Sequence, residues 1–300
     1  MQLIRFGRIL SCELTSALRN TSVMANSGRS RTAQGVAAER AVLTDMGVLA
    51  DPFAARMLIP SMGAVVSLVR RMPYRIRAQS VTLAGLAARV LWFDHQVTKA
   101  VEASIEQIVV VGAGYDSRAW RFGRPGIQFF ELDHSGTQRD KARRAPGGGP
   151  KYIEADLSGQ SAADALVQGG LDESQPSLFI FEGVSMYLDE AVVRRQLGEL
   201  GHIAAVGSRV AIDFQPPRDA GTQRNRRQLR LQQIARAGSG EGFKLVIDRV
   251  EAVELVQGCG WEVTAVISMR EAAHDLVRRE SGLPVNSIND NKTLVAAVRS

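Results

Sequence analysis

From residue 105 onward the apolar positions fall in short continuous runs: Ile108 to Val111, Phe129 to Leu132, Tyr152 to Ile153, Leu178 to Phe181 and Val210 to Phe214. Stretches with helical spacing, such as Glu190 to Val206, separate them. A strand that is apolar at every position is buried on both faces, so this alternation predicts a parallel sheet covered by helices on both sides, an α/β fold. Val250 to Gly258 reads as a further helix, and Trp261 to Ile267 with Thr293 to Val298 as a terminal strand pair. Residues 27–104 differ. Apolar residues recur there with helical spacing in Ala33 to Leu43, Met62 to Arg70 and Val81 to Ala103, and no segment reads as a strand.

The expected organisation is therefore a loosely ordered extension over 1–26, a helical N-terminal cap over 27–104, and an α/β core over 105–300. A lid insertion is expected at about 216–242. It opens at Pro216-Pro217, continues as an Arg-rich helical stretch to Ala237 and closes in a Gly-containing turn. The extension carries Arg5, Arg8 and Arg19 like a targeting helix, but Arg8, Ser11 and Glu13 interrupt any apolar centre, and Met24 is an alternative start.

Composition narrows the classes. A chain of 300 residues, 45% hydrophobic and 23% charged, buries a sizeable core. No run approaches the roughly eighteen apolar residues needed to cross a bilayer. Cys12 and Cys259 share no metal-ligand or disulfide spacing, which suits a reducing, cytoplasmic setting. The net charge of +6 is partly concentrated between Arg224 and Arg230 and does not by itself call for a nucleic acid or membrane partner. His95, His202 and His274 show no metal-ligand spacing, so no metal is expected.

The sharpest local signal is the run Gln107-Ile-Val-Val-Val-Gly112-Ala-Gly114-Tyr-Asp-Ser-Arg-Ala-Trp-Arg-Phe122. Two glycines at i and i+2 directly after a buried strand let the backbone approach a ligand at the strand's carboxyl end; they equally suit a tight turn needing positive φ. The next strand ends in Glu131-Leu-Asp133, about twenty positions on, where either acid could accept from ribose hydroxyls. A dinucleotide site favours a third glycine so that pyrophosphate meets a bare helix end. Ser117 stands there instead, and Asp116 would repel phosphate while suiting a cationic ligand. The third strand leads into Asp156-Leu157, fit to take an adenine amino group and ring, or to cap a helix. The fourth leads into Glu182, an acid in the ligand crevice of an open sheet.

Together with Ser30-Arg31-Thr32-Ala33, with Arg89 and Asp94 in the segment ARVLWFDHQ, and with FELDHSGTQRDKARR and FEGVSMYL, these blocks resemble the leucine carboxyl methyltransferase family over residues 27–298. That family includes tetracenomycin-type polyketide O-methyltransferases. The resemblance implies a doubly wound, mostly parallel seven-stranded Rossmann-like sheet with the last strand antiparallel. S-adenosyl-L-methionine (SAM) is the implied cofactor. By position, Arg89 corresponds to the clamp for the SAM carboxylate, Gly112 and Gly114 to the loop under its methionine part, Asp133 to the ribose ligand, and Asp156 with Leu157 to the adenine pair. Glu182 corresponds to the acid near the SAM amino end and the acceptor. The family's usual R-T-R-F-x-D-D is here Arg89-Val-Leu-Trp-Phe-Asp94-His95, without the second Arg and second Asp. This suggests an intact clamp and an altered lid contact.

Methyl transfer needs donor and acceptor held in line with water excluded. A carboxylate acceptor needs no base, whereas a phenol benefits from one. Glu182 and Tyr187 are the candidates to position an acceptor, with Tyr115 and His134 as further neighbours. The expected function is O-methylation of a carboxylate or hydroxyl on a small, polyketide-like molecule, with no nucleic-acid or membrane partner. The alternatives are a SAM-binding protein without turnover and an NAD(P)-dependent oxidoreductase; the absence of a Tyr-x-x-x-Lys pair argues against the latter.

Overall fold

The structure, a computed structural model, describes residues 30–217, 242–288 and 292–300. The extension over 1–26, with Cys12, and most of the lid lie outside the described residues.

The cap contains α1 (Arg31–Asp45), α2 (Pro60–Arg70), α3 (Tyr74–Arg77) and α4 (Val81–Glu102). Side chains start the two longer helices that matter for the site: Ser30 caps α1 by accepting from Ala33 N, and Ser80 caps α4 by accepting from Leu83 N. Each satisfies a backbone donor that the first helical turn leaves unpaired.

Then follow β1 (Gln107–Val111), α5 (Arg118–Arg121), β2 (Gln128–Asp133), α6 (Ser135–Ala142), β3 (Lys151–Glu154), α7 (Ala162–Gln168), β4 (Ser177–Phe181), α8 (Glu190–Ile203) and β5 (Arg209–Phe214). The chain ends with α9 (Arg249–Gln257), β6 (Glu262–Ser268), α10 (Met269–Leu276) and β7 (Thr293–Val298). The sheet is seven-stranded in the order β3-β2-β1-β4-β5-β7-β6. β7 lies antiparallel between β5 and β6, and the other neighbouring pairs are parallel. The expected terminal strand pair is present, with α10 inserted between its strands, a helix that the apolar pattern did not single out.

Two apolar layers follow from the two-residue period of the strands. Ile108, Val110, Leu178, Ile180 and Ala211 face α1, α4 and α10, while Val109, Val111, Phe179, Phe181 and Ile212 face α7, α8 and α9. The cap therefore completes one face of the sheet: Phe93 and Val97 of α4 are fully buried in the same cluster as Ile108. At about 25 cal/mol per Å² of apolar burial, such a layer is a large stabilising contribution, and the cap would not separate from the sheet without exposing it.

Candidate functional site

β1 and β4 are neighbours, and the order reverses between them, so the crevice of this doubly wound sheet opens beyond their carboxyl ends. The glycine turn leaves β1 at that point. Gly112 and Gly114 both hold positive φ, 65° and 53°. Protein atoms already crowd this turn: a Cβ on Gly112 would stand 2.5 Å from Val184 Cγ2, and one on Gly114 would stand 2.8 Å from the Ala33 methyl. Both glycines are required by the fold before any ligand enters.

Of the two acids of β2, Asp133 stands at the turn. Its Oδ2 accepts from Gly114 N at 2.6 Å and its Oδ1 from His134 N at 2.6 Å, so the carboxylate is aimed at the turn by the backbone. Burial raises its pKa, against the pull of those two donors. Glu131 is buried on the other side of that choice. Its Oε2 lies 2.5 Å from Lys141 Nζ, neither side chain reaches solvent, and burial pushes the carboxyl up to about 7 despite the lysine.

Asp116 does not face the crevice. Its carboxylate accepts from Arg118 N at 2.6 Å and pairs with Arg118 Nη1, and although burial alone would raise it, Arg118 and neighbouring cations hold its pKa at about 2. The repulsion of phosphate expected from this residue is thus largely cancelled by its own neighbour. Arg118 is the residue that sequence reasoning passed over. It is 1% exposed, and each of its three guanidinium nitrogens holds a different carboxylate: Nε on Asp94 at 2.8 Å, Nη1 on Asp116 and Nη2 on Glu182 at 2.7 Å. The signal for it was its place inside the GYDSRAWRF block, flanked by acids that need a partner when buried.

Glu182, one residue past β4, is gripped from both sides. Oε2 meets Arg118, and Oε1 accepts from Arg89 Nε at 3.1 Å. Arg89, from α4, passes beside Gly183, where a Cβ would stand 3.2 Å from Nη1. Gly183 has φ of 67°, so the turn and the guanidinium share the space a side chain would take. Burial works against the charge of Arg89, but Glu182 and Asp213 outweigh it and raise its pKa. Among the described residues neither Nη of Arg89 has a hydrogen-bond partner.

The surroundings complete the crevice. Asp213 of β5 accepts from Gly183 N at 2.6 Å and meets Lys292 Nζ at 2.5 Å. Asp94, the surviving first acid of the altered block, takes Arg118 Nε and both Nη groups of Arg121. Tyr187 packs edge-on against Phe243 with ring centroids 5.7 Å apart, at the point where the chain returns from the lid. Tyr115 is not an acceptor neighbour: it is buried, and its hydroxyl donates to Asp140 at 2.6 Å. Asp156 lies at the far end beyond β3, half-exposed, accepting from Ser158 N at 3.0 Å; it opens a turn, while Ser161 caps α7. Leu157 packs in the core and its carbonyl accepts from Gln196. His134 is exposed, with Nε2 3.8 Å from Asp156. Among the described residues no cluster of His, Cys, Asp or Glu could hold a metal ion, and no helix is long and apolar enough to cross a membrane.

The sheet order, the glycine turn and the acid after β4 define a Rossmann-like fold of the SAM-dependent methyltransferase type. A crystal structure of a provisionally assigned methyltransferase from Thermobifida fusca shares this fold, with a TM-score of 0.56 at 16% identity, covering 83% of this chain and 93% of that one. The sequence profile of leucine carboxyl methyltransferases matches residues 33–200, and the chain belongs to that family. A relative from Mycolicibacterium smegmatis, named provisionally as an SAM-dependent methyltransferase, is 28% identical over 285 residues, which is 86% of this chain and 92% of its own. One from Mycobacterium avium with the same provisional name is 30% identical over 259 residues, 78% of this chain and 82% of its own.

Proposed function

We propose that this methyltransferase transfers the methyl group of SAM to an ionised oxygen, a carboxylate or an acidic hydroxyl, on a small apolar molecule. The observation that carries the reading is Arg89: a charged, nearly buried guanidinium at the carboxyl end of β4 whose two Nη groups are uncommitted among the described residues. A two-pronged donor of that kind suits a carboxylate such as the one on the amino-acid part of SAM. Glu182 beside it suits an ammonium. Gly112 and Gly114 would lie under the methionine part, Asp133 would accept from the ribose hydroxyls, and Asp156 and Leu157 would border the adenine. When bound, SAM supplies an electrophilic methyl on a sulfonium.

The remaining work of the chain is to orient and to exclude water. An acceptor that is already ionised needs no base, and the charged groups described around the crevice, Glu182, Asp213, Arg118 and Lys292, are engaged in ion pairs. Tyr187 and Phe243 offer an aromatic wall for the apolar body of the acceptor.

Calorimetric titration of the purified protein with SAM, S-adenosylhomocysteine and NAD tests the cofactor, followed by methyl-labelled SAM with a panel of small carboxylic acids and phenols. The expected result is saturable binding of the two adenosyl ligands, none of NAD, and label in a product. Alkali releases it as methanol from an ester and leaves it in an ether. Binding of the adenosyl ligands with no labelled product on any acceptor would point to a SAM-binding protein without turnover. Binding of NAD alone would overturn the reading.

A further inference from the structure

We propose that Arg118 is the fixed partner of Glu182 and Arg89 its exchangeable one, so that Arg118 positions the acid that receives the ammonium of an adenosyl amino acid. The inference rests on the cofactor reading above and assigns a role to a residue outside that set. The two arginines grip the same carboxylate from opposite sides, but they are not equivalent. Arg118 is saturated: Asp94, Asp116 and Glu182 occupy its three nitrogens, Nη2 also reaches Val90 O at 3.4 Å, and the side chain is 1% exposed. Its two other carboxylates come from α4 and from the glycine turn, so moving it would break contacts in both. Arg89 makes one described hydrogen bond, through Nε, and its side chain is 15% exposed.

An incoming carboxylate therefore draws on Arg89 alone. A carboxylate that takes Arg89 side-on, through Nε and one Nη, displaces Oε1 of Glu182, which becomes an acceptor for the ammonium while Oε2 stays on Arg118. Without Arg118, Glu182 has only Arg89 to hold it, and any ligand carboxylate would compete for its sole anchor. The pairing also keeps the unliganded crevice near neutrality, because a buried carboxylate is retained only when paired.

The test compares S-adenosylhomocysteine with 5′-methylthioadenosine, which has the same adenosine and thioether but neither ammonium nor carboxylate. In Arg118→Lys, which keeps the charge but cannot span three carboxylates, affinity for S-adenosylhomocysteine falls about tenfold or more while that for 5′-methylthioadenosine stays within about twofold. In a Glu182→Gln background the same substitution has no further effect on S-adenosylhomocysteine, because Arg118 acts through Glu182. Equal loss for both ligands, or an undiminished effect in Glu182→Gln, would overturn the inference and leave the cofactor reading standing. Wild-type protein that binds neither ligand would overturn both. Should Arg118→Lys fail to fold, arginine Nε–H spectra of the wild type decide: S-adenosylhomocysteine shifts the Arg89 signal and leaves that of Arg118 in place, whereas a shift of both, or of Arg118 alone, contradicts the exchange.

Discussion

The methyl of Ala33, in the first turn of α1, occupies the space beside Gly114 so closely that a Cβ on the glycine would stand 2.8 Å from it. The cap helix is thereby seated on the turn that bounds the crevice, and Ser30 N donating to Thr137 Oγ1 at 3.1 Å ties the same end of α1 to α6. Gly114→Ala meets two costs, the positive φ and the clash, together about 2–4 kcal/mol. Ala33→Gly in the same chain relieves the clash but not the φ. The double variant is therefore expected to melt between Gly114→Ala and wild type, and a double variant no more stable than Gly114→Ala would show that the contact with Ala33 is not what excludes a side chain.

A second attachment of the cap is electrostatic. Arg40 of α1 pairs with the buried Asp51 through Nε at 2.8 Å and donates through Nη2 to Tyr115 O at 2.9 Å, beyond Gly114. Asp51 also accepts from Ala54 N, and although burial alone would raise its pKa, Arg40 and Arg121 bring it below the ordinary value. Asp51→Ala leaves a buried guanidinium uncompensated and is expected to cost about 3–5 kcal/mol, whereas replacing both partners by apolar residues costs less than the sum of the single changes. Denaturant unfolding of the four proteins measures the coupling, and additivity would mean the pair contributes nothing as a pair.

Glu131 and Lys141 make a pH-dependent contribution away from the crevice. With the Glu131 pKa raised from 4.5 to about 7, the folded protein holds a proton there that the unfolded chain has released. The sign follows: stability from this group is fully present below about pH 4.5 and is lost as pH rises through 7. Glu131→Gln, which resembles the protonated carboxyl, is expected to lose a stability slope of about one proton per molecule between pH 5 and 7, so that its stability relative to wild type rises across that window. Unfolding free energies measured across that window check it; an unchanged slope would place the titration elsewhere.

The strands were legible because a short, continuous apolar run between turn residues fits little besides a strand buried on both faces. The observed bounds of β1, β2, β4, β5 and β7 differ from the expected ones by a residue or so. Helix α4 was legible from its helical spacing, with Phe93 and Val97 on its buried face. What pattern could not supply was the pairing of charges. Asp116 and Glu182 stood out as acids near a ligand crevice and Asp94 as part of a family block, yet all three reach Arg118, and a linear sequence does not show that three acids share one guanidinium. The altered RTRxxDD block illustrates the converse. The two missing charges, at Leu91 and His95, sit four residues apart on α4, the spacing of a helical ion pair, so losing both leaves no orphan. Leu91 packs against the core and His95 is exposed, while Arg89 and Asp94 keep their partners in the crevice.

Asp156 poses the question of turn versus ligand most sharply. Its Oδ1 already accepts from Ser158 N, a bond that accounts for an Asp at this position without any nucleotide. A role toward adenine would add an acceptance from the exocyclic amino group, and a carboxylate oxygen has lone pairs for both. Asp156→Ala removes both functions, but only the second depends on the ligand's base. Wild-type protein is expected to prefer S-adenosylhomocysteine over S-inosylhomocysteine, which has an oxygen where adenine has the amino group, and Asp156→Ala to lose that preference while its stability drops by no more than the loss of one turn bond, about 1 kcal/mol. Should the variant keep the full preference, the carboxylate serves the turn alone and the adenine is recognised by other groups.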